Sequence, residues 1–430
     1  MQINVFGYEA RDWQKAAFRK IDHCLASNES QIMPVNATVG SGKTDLACYA
    51  FGKHVEDNIN GKTISVFVSP RVKLCKQQND SISRFIGKHS SLKEDVDYKI
   101  IAIDNTSQEF DRHGEIQAAH VIFVFCEASL WGSTSDEDVD AEIRWNTWCG
   151  KLKHWADDFG YKLGAIFYDE AHNYERKVDK IMKLSEMFKL TMLASGTPAY
   201  FQKELSKKHK KNVCECSPAE AMEQKMICKP SLNMIHGNAE HDFPYAIKAV
   251  LKREIERCKT EVFIPAMLVN CNSIDQIKSI LDHEWISSRI GKEFNVITIH
   301  STKAYSLENK CVKLDSSVNG EAKTSEQAYD TIEKIDRGYF GNSLPIIVFQ
   351  VGMIGEGINV SSFNSVIITT HSDRTAMQQI GRAVRNCYRE GKSKVNDGHA
   401  NVYAFFENIC DLQQLLVNLQ SYGLTVECYD

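Results

Sequence analysis

The chain has 430 residues, 14 cysteines and a formal net charge of -5, with 51 Lys and Arg against 56 Asp and Glu. At about 150 residues per domain this length makes two or three domains, and 43% hydrophobic with 25% charged residues is the make-up of folded globular protein. The acidic balance excludes a strongly basic, DNA-coating protein, but a local basic groove stays compatible with it because net charge averages over the surface.

The N-terminus carries no basic-then-apolar leader, and no apolar run reaches the ~18 residues of a membrane span. The expectation is therefore a cytoplasmic protein with no membrane partner, its scattered cysteines being free thiols in a reducing compartment. The tightest cluster, Cys214-x-Cys216 with Cys228, lacks an evident fourth zinc ligand and reads as small buried side chains.

Short β-rich apolar runs alternate with helical stretches, a pattern that predicts α/β architecture with parallel sheets. Strands are expected at 31–36, 63–69, 98–103, 121–125, 164–168 and 189–194, then at 262–270, 294–300, 345–351, 364–370 and 401–406. The stretch 216–231, with Ser217-Pro218 and Lys229-Pro230, lies between the two sets of strands and is expected to hold the domain boundary, near 226, giving domains 1–226 and 227–430. Segments 132–140 and 301–325 are polar and read as insertions, and the 45 residues after Arg385 leave room for one strand and one helix. Trp148, Leu152 and Trp155 share one face at helical spacing, which predicts a core stripe. Base stacking by Trp145 is the rival reading for that aromatic cluster.

The densest chemistry lies at Ala37-Thr38-Val39-Gly40-Ser41-Gly42-Lys43-Thr44, between an apolar run and a predicted helix at 44–54. It fits G-x-x-x-x-G-K-[ST], with Ala37 in place of the first glycine. Val39, Gly40, Ser41 and Gly42 would offer consecutive backbone N–H groups to a β-phosphate at the positive end of the helix. Lys43 would pair with β/γ oxygens, and Thr44 would give its hydroxyl to Mg²⁺. Downstream, the apolar run Ala165–Tyr168 ends in Asp169-Glu170-Ala171-His172. Asp169 at a strand end reaches Mg²⁺ through water, while Glu170 polarises the attacking water. In the second half Gln378-Gln379-Ile380-Gly381-Arg382-Ala383-Val384-Arg385 places two arginines three apart, on one face of a helix.

These segments, in this order, resemble the motifs of superfamily 2 helicases and translocases of the DEAH-containing type. In motif style they are closest to phage branched-DNA helicases and type III restriction translocase subunits. Arg11-Asp12-Trp13-Gln14 is similar to the adenine-recognition element, with Gln14 on the adenine edge and Arg11 beside it. Residues 37–44 resemble motif I, Val68-Ser69-Pro70-Arg71 motif Ia, Cys126-Glu127-Ala128-Ser129-Leu130 motif Ib, Asp169–His172 motif II, and Ser195-Gly196-Thr197-Pro198 motif III. Val269–Ser273 falls where motif IV does, residues 352–359 resemble motif V, and 378–385 match motif VI closely.

The resemblance implies two tandem RecA-like domains with an ATP cleft between them, and ATP and Mg²⁺ as cofactors. It also implies hydrolysis coupled to movement along nucleic acid, DNA being favoured over RNA and a host-cell cytoplasm expected if the source is a phage. Arg385 would be the arginine finger, Arg382 the γ-phosphate sensor and Gln378 a further cofactor contact. Gly357 and Asn359 would approach the nucleotide, and Ser69, Arg71, Ser129 and Ser273 the nucleic-acid backbone. Glu356 and Cys126 depart from the residues common at their positions. The basic run 203–211 reads either as a solvated face or as a wider nucleic-acid footprint. Two rivals stay open: an ATP-switched clamp that does not separate strands, and a P-loop ATPase indifferent to nucleic acid.

Overall fold

The computed structural model describes residues 9–70, 96–103, 118–131, 139–238, 241–258, 266–300, 344–351, 363–369, 373–385 and 400–408, with isolated positions between and beyond them. Gly357, Asn359, Arg71 and most of segments 132–140 and 301–325 lie outside the described residues. By compactness the chain divides into two units, residues 1–38 with 42–216, and 39–41 with 217–430.

The first unit is built on seven strands: β1 (Gln31–Ala37), β2 (Lys62–Ser69), β3 (Tyr98–Ile103), β4 (His120–Cys126), β5 (Tyr161–Tyr168), β6 (Leu190–Ser195) and β7 (Cys214–Cys216). They form one all-parallel sheet in the order β3-β4-β2-β5-β6-β1-β7. Parallel strands covered on both faces read as continuous apolar runs rather than alternating ones, and β2 and β4 are buried along nearly their whole lengths. One face carries a core of Val66, Val68, Phe123, Phe125, Ile166, Tyr168 and Leu193, covered by Trp131, Trp148, Leu152, Trp155, Ile181 and Leu184. The predicted tryptophan stripe is thus core, with Phe123 stacked on Trp155 at 5.4 Å between ring centroids. The side chain of Trp145 lies outside the described residues. The helices Asp12–Ala26 and Lys43–Glu56 meet each other through the stacked rings of Phe18 and Tyr49, 4.0 Å apart.

The second unit repeats the design with β8 (Pro230–His236), β9 (Ala266–Asn270), β10 (Asn295–Ile299), β11 (Glu321–Ala322), β12 (Ile346–Gln350), β13 (Phe363–Ile368) and, after the small antiparallel ribbon of β14 (Tyr388–Arg389) and β15 (Lys392–Ser393), β16 (Ala400–Phe406). The sheet order is β11-β10-β12-β9-β13-β16-β8, again parallel throughout. The helix Phe243–Cys258 is fixed to it through buried Glu254, which accepts from Tyr403 Oη at 2.5 Å, from Asn401 Nδ2 at 2.8 Å and from Ser365 Oγ. Two tandem RecA-like α/β domains are the architecture expected from the sequence.

The stretch 216–231 carries regular structure. β7 and β8 are edge strands of the two sheets, and between them the short helix Pro218–Glu223 begins at a capping box, Ser217 Oγ accepting Glu220 N–H at 3.2 Å. By compactness the two units part at Cys216/Ser217. Ile227 bridges Arg385 and Cys228 N donates to Val384 O at 2.7 Å, which ties 227–228 to the second unit. Cys214, Cys216 and Cys228 are all buried, and burial pushes the Cys214 thiol up to about 12.

Candidate nucleotide-binding site

β5, β6 and β1 are neighbours, so their carboxyl ends deliver three loops side by side: Asp169–His172, Ser195–Pro198 and the glycine-rich turn before Lys43. The crevice outside the carboxyl ends of parallel strands is where open α/β sheets take ligands.

Gly40 and Gly42 have φ of +81° and +86°, which side chains on L-residues rarely tolerate. A Cβ on Gly42 would fall 2.7 Å from Gln14 Nε2 and 2.8 Å from Asp45 Oδ2, so the turn is closed by a close approach as well as by its dihedrals. Lys43 is buried, and its Nζ donates to the carbonyls of Ala37 at 3.1 Å and Thr38 at 3.4 Å. A buried ammonium on two neutral carbonyls, with no carboxylate partner among the described residues, is a built receptor for an anion. Thr44 is half-buried one position on, in the first turn of the helix Lys43–Glu56, where the helix dipole also favours negative charge. The donor set fits a polyphosphate.

Gln14 is 2% exposed, and both ends of its amide are held. Oε1 accepts from Arg11 N at 3.1 Å, and Nε2 donates to Asp45 Oδ2 at 2.8 Å. A carboxamide has two N–H groups and two lone pairs, so one donor and one acceptor remain on a pinned plane. The expected adenine reader is therefore also a brace between the helices Asp12–Ala26 and Lys43–Glu56.

Asp169 follows β5 directly, its N–H donating to Val68 O of β2 at 3.0 Å, and Glu170 N donates to Asp169 Oδ1 at 3.1 Å. Glu170 has φ of +47°, a left-handed conformation that costs a non-glycine residue energy and is typical of functional turns. His172 is buried with Nδ1 2.8 Å from Ser195 Oγ and 3.5 Å from Glu170 Oε2. Ser195 Oγ also accepts from Thr197 N at 3.0 Å. The loops after β5 and β6 are thus linked through one imidazole, a tie that sequence spacing does not reveal because it depends on strand order. Beneath them Trp131 stacks on Tyr168 at 5.9 Å and meets Tyr174 edge-on at 5.6 Å. Burial pushes both phenols well above their ordinary range.

Ser69 and Ser129, expected on a nucleic-acid backbone, are at the same sheet edge but buried. In the second unit Ser273 is exposed at the N-cap of the helix Ile274–Asp282, its Oγ accepting Gln276 N–H at 3.1 Å. Asn270 lies in the segment placed at motif IV, but its pairing at the carboxyl edge of that sheet is not evident from the sequence. Asn270 and Gln350 are joined by a side-chain hydrogen bond, and Thr369 Oγ1 donates to Asn270 O at 3.1 Å. The available signal was that the apolar strands end on a polar residue. Arg382 is buried in the last turn of the helix Asp373–Ala383, Arg385 is half-buried just beyond it, and Gln378 is half-buried on the same helix.

Residues 7–200 match the family model described as type III restriction enzyme, res subunit. No curated protein matches the chain. Among solved structures, the DNA-bound type ISP restriction-modification enzyme LlaBIII is similar with a TM-score of 0.58 and 12% identity, over 96% of this chain and 30% of that one. S. cerevisiae Dbp5 bound to RNA and ADP BeF3 is similar with a TM-score of 0.52 and 14% identity, over 98% of this chain and 89% of that one. Mycobacterium smegmatis helicase Lhr, bound to ssDNA and AMP-PNP, gives a TM-score of 0.53 and 13% identity over 96% of this chain and 49% of that one. The likeness to these structures is one of fold, two tandem parallel-sheet α/β units. Its first unit resembles the res subunits of type III restriction enzymes.

Proposed function

We propose that the protein hydrolyses ATP to move along, or unwind, nucleic acid, with DNA as the substrate. The observation that carries the reading is the buried Lys43 ammonium, held on two carbonyls beside Gly42, at the same sheet edge as Asp169 and Glu170. The resemblance over residues 7–200 to a restriction-enzyme subunit and the restriction-like motif style favour DNA.

In this reading the first unit is the ATP-binding domain and the second the helicase C-terminal domain. Val39 to Gly42 offer backbone N–H groups to the phosphates, Lys43 neutralises their charge, and Thr44 and Asp169 would hold Mg²⁺. Bound Mg²⁺ supplies charge neutralisation on the phosphates. Glu170 accepts the proton of the attacking water, and His172 holds that carboxylate against Ser195. Gln14 reads adenine, and Arg11 sets it by its backbone N–H. Arg385 stabilises charge on the transferred phosphoryl group and Arg382 senses it, while Gln378, Gly357 and Asn359 complete the nucleotide contacts. Arginine fingers are worth about 10³–10⁵ in rate. Ser69, Arg71, Ser129 and Ser273 belong to the nucleic-acid track.

Glu170→Gln tests the assignment. ATP binding is expected to persist while turnover falls by at least about 10²-fold, the usual scale of general-base loss. Retained steady-state hydrolysis in this variant would remove Glu170 from the role.

A further inference from the structure

Between Arg176 and Lys211, ten Lys and Arg stand against three Asp and Glu, in a chain whose net charge is -5. The excess is gathered on one side of the first sheet. The helix Val178–Ser185 leaves the 171–177 turn at the carboxyl edge and leads into β6, while the helix Tyr200–Lys208 follows β6 and runs back down. Asn212 closes that descent by donating to Gln31 Oε1 at 3.1 Å and Ile32 O at 3.2 Å, at the start of β1. Both helices cover the same core, Met182 and Leu205 packing against it. Their outer sides therefore make one surface spanning the height of the sheet.

On that surface Arg176, Lys183, Lys203, Lys207, Lys208, Lys210 and Lys211 are exposed. Among the described residues Lys207 has an ion-pair partner, Glu204 at 2.7 Å, and Lys203, Lys208, Lys210 and Lys211 have none. Complementing the helix C-terminus would occupy one or two lysines of the last turn. It leaves Lys203 near the start and Lys210 and Lys211 past the end without a purpose. At the top of the same helix Tyr200 is 71% exposed, three residues after Thr197 of the site loop. An exposed tyrosine hydroxyl at the head of a lysine track can donate to a phosphate oxygen as the lysines do.

We infer that this flank, from Tyr200 down to Lys211, is a second nucleic-acid contact that grips the phosphodiester backbone of a duplex arm outside the strand-end track. It rests on the reading that nucleic acid is the partner. A duplex carries one negative charge per about 1.7 Å of axis, so lysines one helical turn apart meet phosphate in any register, without reading sequence. A continuous run from the site edge to the opposite edge suits a linear polyanion better than a compact acidic protein.

The test is the salt dependence of binding by Lys203→Gln/Lys207→Gln/Lys208→Gln/Lys210→Gln/Lys211→Gln, beside the matching five-arginine variant. Probes are a long DNA duplex, the equivalent RNA duplex and a short single strand. Each lost phosphate contact flattens the plot of log affinity against log salt by about 0.9. The glutamine variant should lose about 2–4 units of slope and about tenfold or more in duplex affinity. The short strand should be bound unchanged, and the arginine variant should behave as wild type. The two duplex arms tell DNA from RNA as the source of the backbone. If the glutamine variant shows no thermal unfolding transition, Lys210→Gln/Lys211→Gln, beyond the helix end, gives the same reading at smaller scale. Wild-type binding with an unchanged duplex slope in the variants overturns this inference alone, whereas absence of wild-type binding to any probe overturns the proposed function beneath it.

Discussion

Gln14 shows how much one amide can hold. Its bond to Asp45 ties the first helix to the helix that carries Lys43, and its bond from Arg11 N caps its own helix. Gln14→Ala should cost about 1–3 kcal/mol of unfolding free energy by leaving buried partners unpaired, measured by urea denaturation. Competition between ATP and GTP should show a several-fold loss of adenine preference in the same variant; unchanged preference would confine Gln14 to bracing. Tyr168 presents the opposite case. Its hydroxyl is fully buried with no hydrogen-bond partner among the described residues. Tyr168→Phe should therefore leave stability unchanged or raise it by about 1 kcal/mol, and a loss of more than that would reveal a hidden partner.

At the scale of elements, the helix Lys43–Glu56 is seated on β5 by His54, whose ring nitrogen Nε2 lies 3.2 Å from Lys162 O. Gly164 makes room for it, since a Cβ there would fall 2.0 Å from His54 Cδ2. Gly164→Ala should displace the helix, costing about 1–3 kcal/mol as overpacking does. Because the helix carries Lys43, ATP affinity should fall with it in a binding titration. Burial pushes His54 down from 6.5 to about 4. Above 6.5 the imidazole is neutral in both states, and below that the unfolded chain takes a proton that the folded chain refuses. Stability is lost as pH falls from 6.5 towards 4, by up to about 3 kcal/mol from this group. Denaturation curves at pH 7 and 4.5 should differ less in His54→Gln than in wild type. His120, also lowered by burial, contributes in the same direction in both.

The same scale shows what was legible. β2, β4 and β5 are buried on both faces, and such strands announce themselves as apolar runs. β7 has three residues and β8 begins on Pro230, so neither has a pattern long enough to separate from a linker. The segments 37–44, 169–172 and 378–385 stand out in the sequence because each gathers its polar residues within one short run. The His172–Ser195 tie, the Gln14–Asp45 brace and the Asn270–Gln350 pair could not, because each joins elements that only the sheet order or helix packing brings together.

For the whole molecule, charge is the informative quantity. The net charge of -5 conceals a flank where ten cations stand against three acids, so the proposed affinity for a polyanion would be local and would fall with salt. Among the described residues no helix is long and apolar enough to cross a membrane. In the proposed function ATP turnover is coupled to nucleic acid. This coupling is tested most directly by steady-state ATP hydrolysis titrated with single-stranded, duplex and forked DNA and with RNA. A saturable rise in turnover is expected, larger with DNA than with RNA. A rate that stays the same with every nucleic acid would contradict it.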